Sequence, residues 1–186
     1  MPEKYTGVKF KVKRGALKKE SVSDERIPEI IKWARVLFER GFAQENSGNI
    51  SVRKGNGFII KATGSEFANL REDDFVFVEK FDFEKFVLEK ATGLKLPSSE
   101  TPLHHSIYSA RPDVLAIVHC HAFPKGVTET KEAYPYGSRE QAKAICGLLN
   151  NSDMAIAKSH GIFSVGKTVE EAARRILFAA DSRNHC

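Results

Sequence analysis

The chain opens on a period of two. In GVKFKVKRG, Val8, Phe10 and Val12 alternate with Lys9, Lys11 and Lys13, the pattern of a half-exposed strand. The period then lengthens. Ile30, Ile31, Ala34, Leu37 and Phe38 recur at helical spacing with Trp33 on the core side, and Gly41 closes the segment. Ser23 and Asp24 ahead of Pro28 supply capping chemistry for that helix. NSGNISVRKGNGFIIKATGS predicts a hairpin, because Ile50 and Val52 alternate with polar neighbours, KGNG turns, and FIIKAT runs extended. A helical turn over 70–73 leads to two short strands, FVFVEK and FEKFVLEK.

In the second half, TPLHHSIYSA predicts a helix stopped before Pro112. DVLAIVHCH predicts a strand buried on both faces for most of its length. Residues 124–138 form an irregular polar loop, followed by a helix over 139–149, a strand over 154–158 and a last helix from 168 to about 182. There is no internal repeat and no low-complexity linker. Strands mixed with helices in this order predict one α/β domain, with a mixed or mainly antiparallel sheet and helices over its faces.

Composition narrows the class. At 186 residues the chain can bury a sizeable core, and 41% hydrophobic with 28% charged residues is ordinary for a soluble protein. No apolar stretch approaches the roughly 18 residues of a membrane span, and the basic start has no apolar core of a signal peptide behind it. A cytoplasmic protein with no membrane partner is expected.

The net charge of +5 has a location. Residues 1–19 hold seven Lys or Arg against Glu3 alone, while the rest of the chain holds 22 basic and 23 acidic side chains. We therefore divide the sequence into a basic arm, 1–24, and a domain, 25–186. A nucleic-acid role would rest on the arm alone, and a solvated or subunit-contacting arm, such as a strand added to a neighbouring subunit, is the preferred reading. Cys120, Cys146 and Cys186 are widely spaced with no CxxC pair, so reduced thiols are expected.

The candidate chemistry lies in HCH. Residues two apart on a strand share a face about 7 Å apart, so His119 and His121 can reach one ion while Cys120 points away. A polar strand end is the other reading of that pair. His160, in KSHG after the strand MAIAK, adds a third imidazole at a strand end, with Gly161 suited to a tight turn. Three histidines and an open position make a catalytic divalent site, typically zinc, although histidine suits several first-row ions.

LPSSETP puts Ser98, Ser99 and Glu100 at a helix start. They serve either as ordinary capping chemistry or as an anion site with a general acid/base beside the metal. The turns Ser47-Gly48-Asn49 and Thr63-Gly64-Ser65 are plain turns or, with the two serines, a phosphate cradle. His104 and His105 are adjacent on a helix and diverge, so at most one faces the site. His185 and Cys186 sit at the terminus, away from this set.

In this order, SGNIS, ATGS, LPSSE, VHCHA and SHG resemble the signature set of the class II aldolase/adducin family, most closely its L-fuculose-1-phosphate aldolase branch. SIYSARPDVLAIVHCHA and YGSRE extend the likeness, which covers about residues 28–182. The resemblance implies a three-layer α/β/α fold and a homotetramer with active sites between subunits. It implies that His119, His121 and His160 bind zinc, with Glu100 as acid/base and ligand of the resting metal. Gly48, Asn49, Thr63, Gly64, Ser98 and Ser99 would hold the substrate phosphate. The implied reaction splits a phosphorylated ketose into dihydroxyacetone phosphate and an aldehyde through a metal-stabilised enediolate.

The match departs in two places. Only 38 residues separate His121 from His160, where family aldolases carry a longer stretch with a tyrosine that reaches a neighbour's site. Tyr134 and Tyr136 lie in the shortened loop without aligning to that role, and the family's C-terminal tail has no counterpart. These losses touch the aldehyde half and leave the metal chemistry intact. Decarboxylase, pentulose-phosphate 4-epimerase and dehydratase chemistries on the same scaffold stay open, as does an adducin-like interaction module.

Overall fold

A computed structural model describes residues 7–182, and in it one sheet divides the core in two. The first six residues of the arm, with His185 and Cys186, lie outside the described residues. The strands are β1 (Lys11–Val12), β2 (Leu17–Lys18), β3 (Asn49–Lys54), β4 (Gly57–Lys61), β5 (Phe75–Asp82), β6 (Val87–Thr92), β7 (Ala116–Cys120), β8 (Met154–Ala157) and β9 (Gly161–Gly166). Their order is β1-β6-β5-β4-β3-β7-β9-β8, with β2 also on β6. β1 and β2 run parallel to β6 and every other pairing is antiparallel, so the sheet is mixed and mainly antiparallel, as expected.

The helices are α1 (Ile27–Glu39), α2 (Thr101–Ala110), α3 (Arg139–Leu149) and α4 (Val169–Asp181). They form the outer layers of the α/β/α arrangement. Ile30 and Leu37 of α1 and Ile176 of α4 pack with Ile50, Ile59, Val118 and Cys120 on one face. Leu103 and Ile107 of α2 and Ile145 of α3 pack with Phe58, Ile60, Ile117 and Phe163 on the other. Fully burying such a side chain contributes about 1.5–3 kcal/mol, so the shared sheet is what joins two substantial cores. The stripe read from α1 is the buried one: Ile27, Ile30, Trp33, Ala34 and Leu37.

Four local expectations are corrected. Arg26, not Ser23 or Asp24, is the N-cap of α1, and Asp24 instead accepts from the Arg26 backbone N–H (3.2 Å) and Nε (2.7 Å). FEKFVLEK is not all strand: residues 83–86 form a turn, with Phe86 at φ 59°, and β6 starts at Val87. The turn is closed by the Lys85 N–H donating to the Asp82 carboxylate at 2.8 Å, a local bond that competes with the ladder. β9 was not expected at all: GIFSVG is a short run that begins at Gly161 and ends at Gly166, residues that mark turns, and its burial along nearly its whole length leaves no alternation to offset them. Finally, the arm adds its strands to the chain's own β6 rather than to a neighbour, with Phe10 buried beside Phe81.

Candidate metal centre and substrate pocket

The site is a consequence of register. β3 and β7 pair antiparallel with Asn49 directly opposite His119 and Ser51 opposite Ile117. Side chains alternate across the sheet, so Asn49, Ser51, Ile117 and His119 all face α2, while Ile50, Val118 and Cys120 face α1 and α4. Burial pushes the Cys120 thiol up to about 12, in keeping with an inert, reduced core cysteine. α2 begins above this pair, and Glu100, its N-cap, is only 3% exposed.

His160 arrives from the β8–β9 turn. His160 N–H donates to Ala157 C=O at 3.0 Å, and Ser159 takes φ 62° to make the turn tight. Gly161 follows at φ 153°, where an added Cβ would lie 2.3 Å from the Cys120 carbonyl oxygen, so only glycine brings β9 this close to β7. On the other side, Gly48 at φ 74° packs against His119, with an added Cβ 2.9 Å from its carbonyl oxygen.

The three imidazoles converge: one ligand atom from each of His119, His121 and His160 lies within 4.8 Å of the others. The rings of His119 and His160 stack with centroids 4.8 Å apart, and Phe163 backs His119 at 4.1 Å. Nδ1 of His119 donates to the Ile162 carbonyl at 2.9 Å, which leaves Nε2 as the lone-pair nitrogen. That buried Nε2 has no hydrogen-bond partner and stands 3.3 Å from Oε2 of Glu100. A lone pair facing a carboxylate oxygen is repulsive without a cation between or beside them, so the donor set fits a divalent ion. Burial holds His119 well below the ordinary histidine value, and His121, though exposed to solvent, is brought down to about 4 by partial desolvation and by His160 beside it, so both rings are neutral at pH 7 and able to offer a lone pair.

Glu100 is pulled both ways. Burial raises its carboxyl, but the charge of His119 or His160 whenever either ring is protonated, together with hydrogen bonds from His160 and Asn49, outweighs that and holds it well below the usual carboxylate range. Oε1 accepts from Nε2 of His160 at 3.0 Å, and Oε2 accepts from Nδ2 of Asn49 at 2.8 Å.

All ten residues singled out from sequence line one cavity of about 1170 Å³: Glu100, the three histidines, and Gly48, Asn49, Thr63, Gly64, Ser98 and Ser99. The turn segments are tied together there, since Ser98 N–H donates to Lys61 C=O (3.0 Å) and Thr63 N–H to Leu96 C=O (2.9 Å). Asn49 turns its side chain to Glu100 and His104. Tyr134 and Tyr136 line the other wall, Tyr136 parallel to His160 at 6.4 Å with the Lys9 ammonium 3.7 Å over its ring. His104 and His105 diverge as expected: His104 is buried behind Asn49, and His105 packs on Phe81 and Phe83.

Sequence reading missed Lys61. This buried lysine ends β4 at the cavity, its ammonium donating to the carbonyls of Asn46 (3.1 Å) and Ser65. Burial brings it down to about 8. The signal was a single lysine closing the apolar run FII.

Residues 28–124 match the family described as Class II Aldolase and Adducin N-terminal domain. A 5-methylthioribulose-1-phosphate/5-deoxyribulose-1-phosphate aldolase of Rhodospirillum rubrum is 39% identical over 93 residues, which are 50% of this chain and 39% of that protein. A methylthioribulose-1-phosphate dehydratase of Leptospira biflexa is 34% identical over 117 residues, 61% of this chain and 54% of that one. The chain thus spans about half, or less, of the length of these two. An L-fuculose phosphate aldolase of Methanococcus vannielii is 30% identical over 167 residues, 78% of this chain and 87% of that protein. In fold, the chain is similar to a solved L-fuculose 1-phosphate aldolase at TM-score 0.73 and 22% identity, covering 88% of this chain and 87% of the other. The matched segment runs from the helix ahead of the first turn through both histidines of the HCH strand, and on that ground the chain belongs to the class II aldolase and adducin family.

Proposed function

We propose that this chain is a divalent-metal-dependent aldehyde-lyase that cleaves a small phosphorylated ketose, such as L-fuculose 1-phosphate, to dihydroxyacetone phosphate and an aldehyde. The observation that carries the reading is the lone-pair nitrogen of His119 converging with His121 and His160 beside a buried, ionised Glu100. His119, His121 and His160 would hold the ion, with Glu100 as a further ligand at rest, and zinc suits three neutral imidazoles. When bound, the ion supplies Lewis-acid stabilisation to the negative charge that builds on the substrate oxygens as the C–C bond breaks.

The chain's own residues do the rest. Ser98 and Ser99, with the turns at Gly48-Asn49 and Thr63-Gly64, offer hydroxyls and backbone N–H groups to the phosphate, and Lys61 adds positive charge beside them. A phosphate fixed there orients the ketose and removes much of the entropic cost of reaction. Glu100 carries the proton to and from the carbon where charge develops. Residues 25–186 form the catalytic unit, working in the cytoplasm as a homo-oligomer, a tetramer in this reading.

Dehydration is the second reading, supported by the likeness to the Leptospira biflexa enzyme. The same acid/base and metal set would remove a hydroxyl instead of cleaving a C–C bond. The test loads the protein with zinc and follows dihydroxyacetone phosphate release from a panel of ketose 1-phosphates. Release from at least one supports the lyase; silence across the panel, with loss of water from a methylthioribulose 1-phosphate, transfers the chain to the dehydratases. Failure to bind any divalent ion would instead return it to the interaction modules.

A further inference from the structure

Behind Glu100 lies a row of buried polar side chains that the proposed reaction does not use. Nδ2 of Asn49 donates to Glu100 at 2.8 Å. Oδ1 of the same amide meets Nε2 of His104 at 2.5 Å. Nδ1 of His104 meets Oγ of Ser51 at 2.7 Å, and Oγ of Ser51 meets the Tyr108 hydroxyl at 2.9 Å. Ser51 and His104 are 0% exposed, Asn49 3% and Tyr108 5%. Phe58, Leu103, Ile107 and Ile117 belong to the same core cluster as Tyr108.

The row has one direction. An amide nitrogen only donates and a carboxylate only accepts, so Asn49 must give its N–H to Glu100 and turn its oxygen to His104. His104 must then carry its proton on Nε2, which leaves Nδ1 to accept from the Ser51 hydroxyl. Ser51, having donated, accepts from Tyr108. Every link is thereby determined from the Glu100 end, and reversing one would set two acceptors or two donors face to face in the core. Tyr108 is itself anchored: the Arg53 guanidinium lies 4.7 Å over its ring and donates to its carbonyl at 2.8 Å.

We infer that Tyr108, Ser51 and His104 form a one-way hydrogen-bond relay whose work is to fix the Asn49 amide and, through it, to pin Oε2 of Glu100 while Oε1 stays toward His160. Apolar residues of the same shape could fill this volume at no cost in stability, since a buried polar network gains little net free energy. What they could not supply is a directed N–H at Oε2. His104 is a positioning residue that acts through Asn49. The effect on turnover rests on the acid/base role proposed for Glu100; the proton arrangement does not.

The experiment has two arms on the full chain. In the first, nitrogen NMR of 15N-histidine-labelled, metal-free protein reads the His104 tautomer. A neutral ring protonated on Nε2 at pH 7 is expected, and an imidazolium or an Nδ1–H tautomer overturns the relay. In the second, zinc-loaded His104→Leu, His104→Gln and Ser51→Ala are assayed on the best ketose phosphate. His104→Leu should lower kcat about 10- to 100-fold with KM within about threefold, the mark of a group felt only in the transition state. His104→Gln, which can donate to Asn49 and accept from Ser51, should recover most of that loss. Full activity in His104→Leu, or a glutamine no better than leucine, overturns the inference. If His104→Leu does not fold, Ser51→Ala decides, with roughly a 3- to 10-fold fall in kcat expected for a loosened link and no change overturning it. A wild type silent on all substrates would sink the lyase reading, while the NMR arm still decides the relay.

Discussion

The two walls of the cavity are built on different principles. On one side, Asn49, Glu100 and His119 come from strand or helix positions, are almost fully buried, and have their side chains set by named partners. On the other, Tyr134, Pro135 and Tyr136 come from an irregular loop, where Tyr136 is buried under Lys9 while Phe123 nearby is 44% exposed. Glu100 and His119 are thus held at regular elements, His121 and His160 by a strand end and a turn, and the facing loop can vary at little cost to the fold.

The largest expected effect falls on the rigid wall. His119→Ala should take divalent-ion stoichiometry from about one per chain to near zero and activity to background, read by elemental analysis and the lyase assay, because it removes the proposed ligand whose tautomer Ile162 sets. If His119→Ala keeps its ion, the two walls no longer differ in kind. Next, Glu100→Gln should keep the fold and lose about 10²- to 10⁴-fold in kcat, the usual range for a general acid/base. Near-normal rates would remove Glu100 from the mechanism.

A third test reads stability instead of turnover. Burial holds His104 near 4, against about 6.5 in an unfolded chain. Between those values the unfolded chain binds more protons than the folded one. Stability therefore rises with pH across this window and is lost as pH falls through it, by on the order of 3 kcal/mol in full. Urea unfolding of His104→Gln should show a shallower acid limb than wild type between pH 7 and pH 4.5. Parallel limbs would mean that the buried wall contributes no acid sensitivity through His104. The smallest effect belongs to the loop: Tyr134→Phe and Tyr136→Phe should each change kcat/KM by less than about tenfold, as expected of groups that shape a wall without moving protons. A larger loss would make the loop part of the chemistry.

How much of this could be read from the sequence follows the same division. HCH declared itself because a strand has a period of two, and the geometry placed His119 toward α2 and Cys120 toward α1. SHG and SSE were readable because glycine and serine mark turns and helix starts. β9 was not, since its short buried run begins and ends in glycine, which reads as turn, and has no alternation to offset that. The relay residues were invisible for another reason. Their meaning depends on which strands become neighbours, and no local pattern says that Asn49 will face His119, or that Ser51 will stand beside His104.

That cross-strand pairing has a kinetic consequence. Asn49 and His119 belong to segments far apart in the chain, and a slip of one residue between β3 and β7 would send one of them to the opposite face of the sheet. No partly registered intermediate can therefore set the Asn49 amide on Glu100 beside His119. Assembly of the proposed metal site is thereby tied to one of the long-range closures of the sheet, and follows the meeting of the central strands in their final alignment.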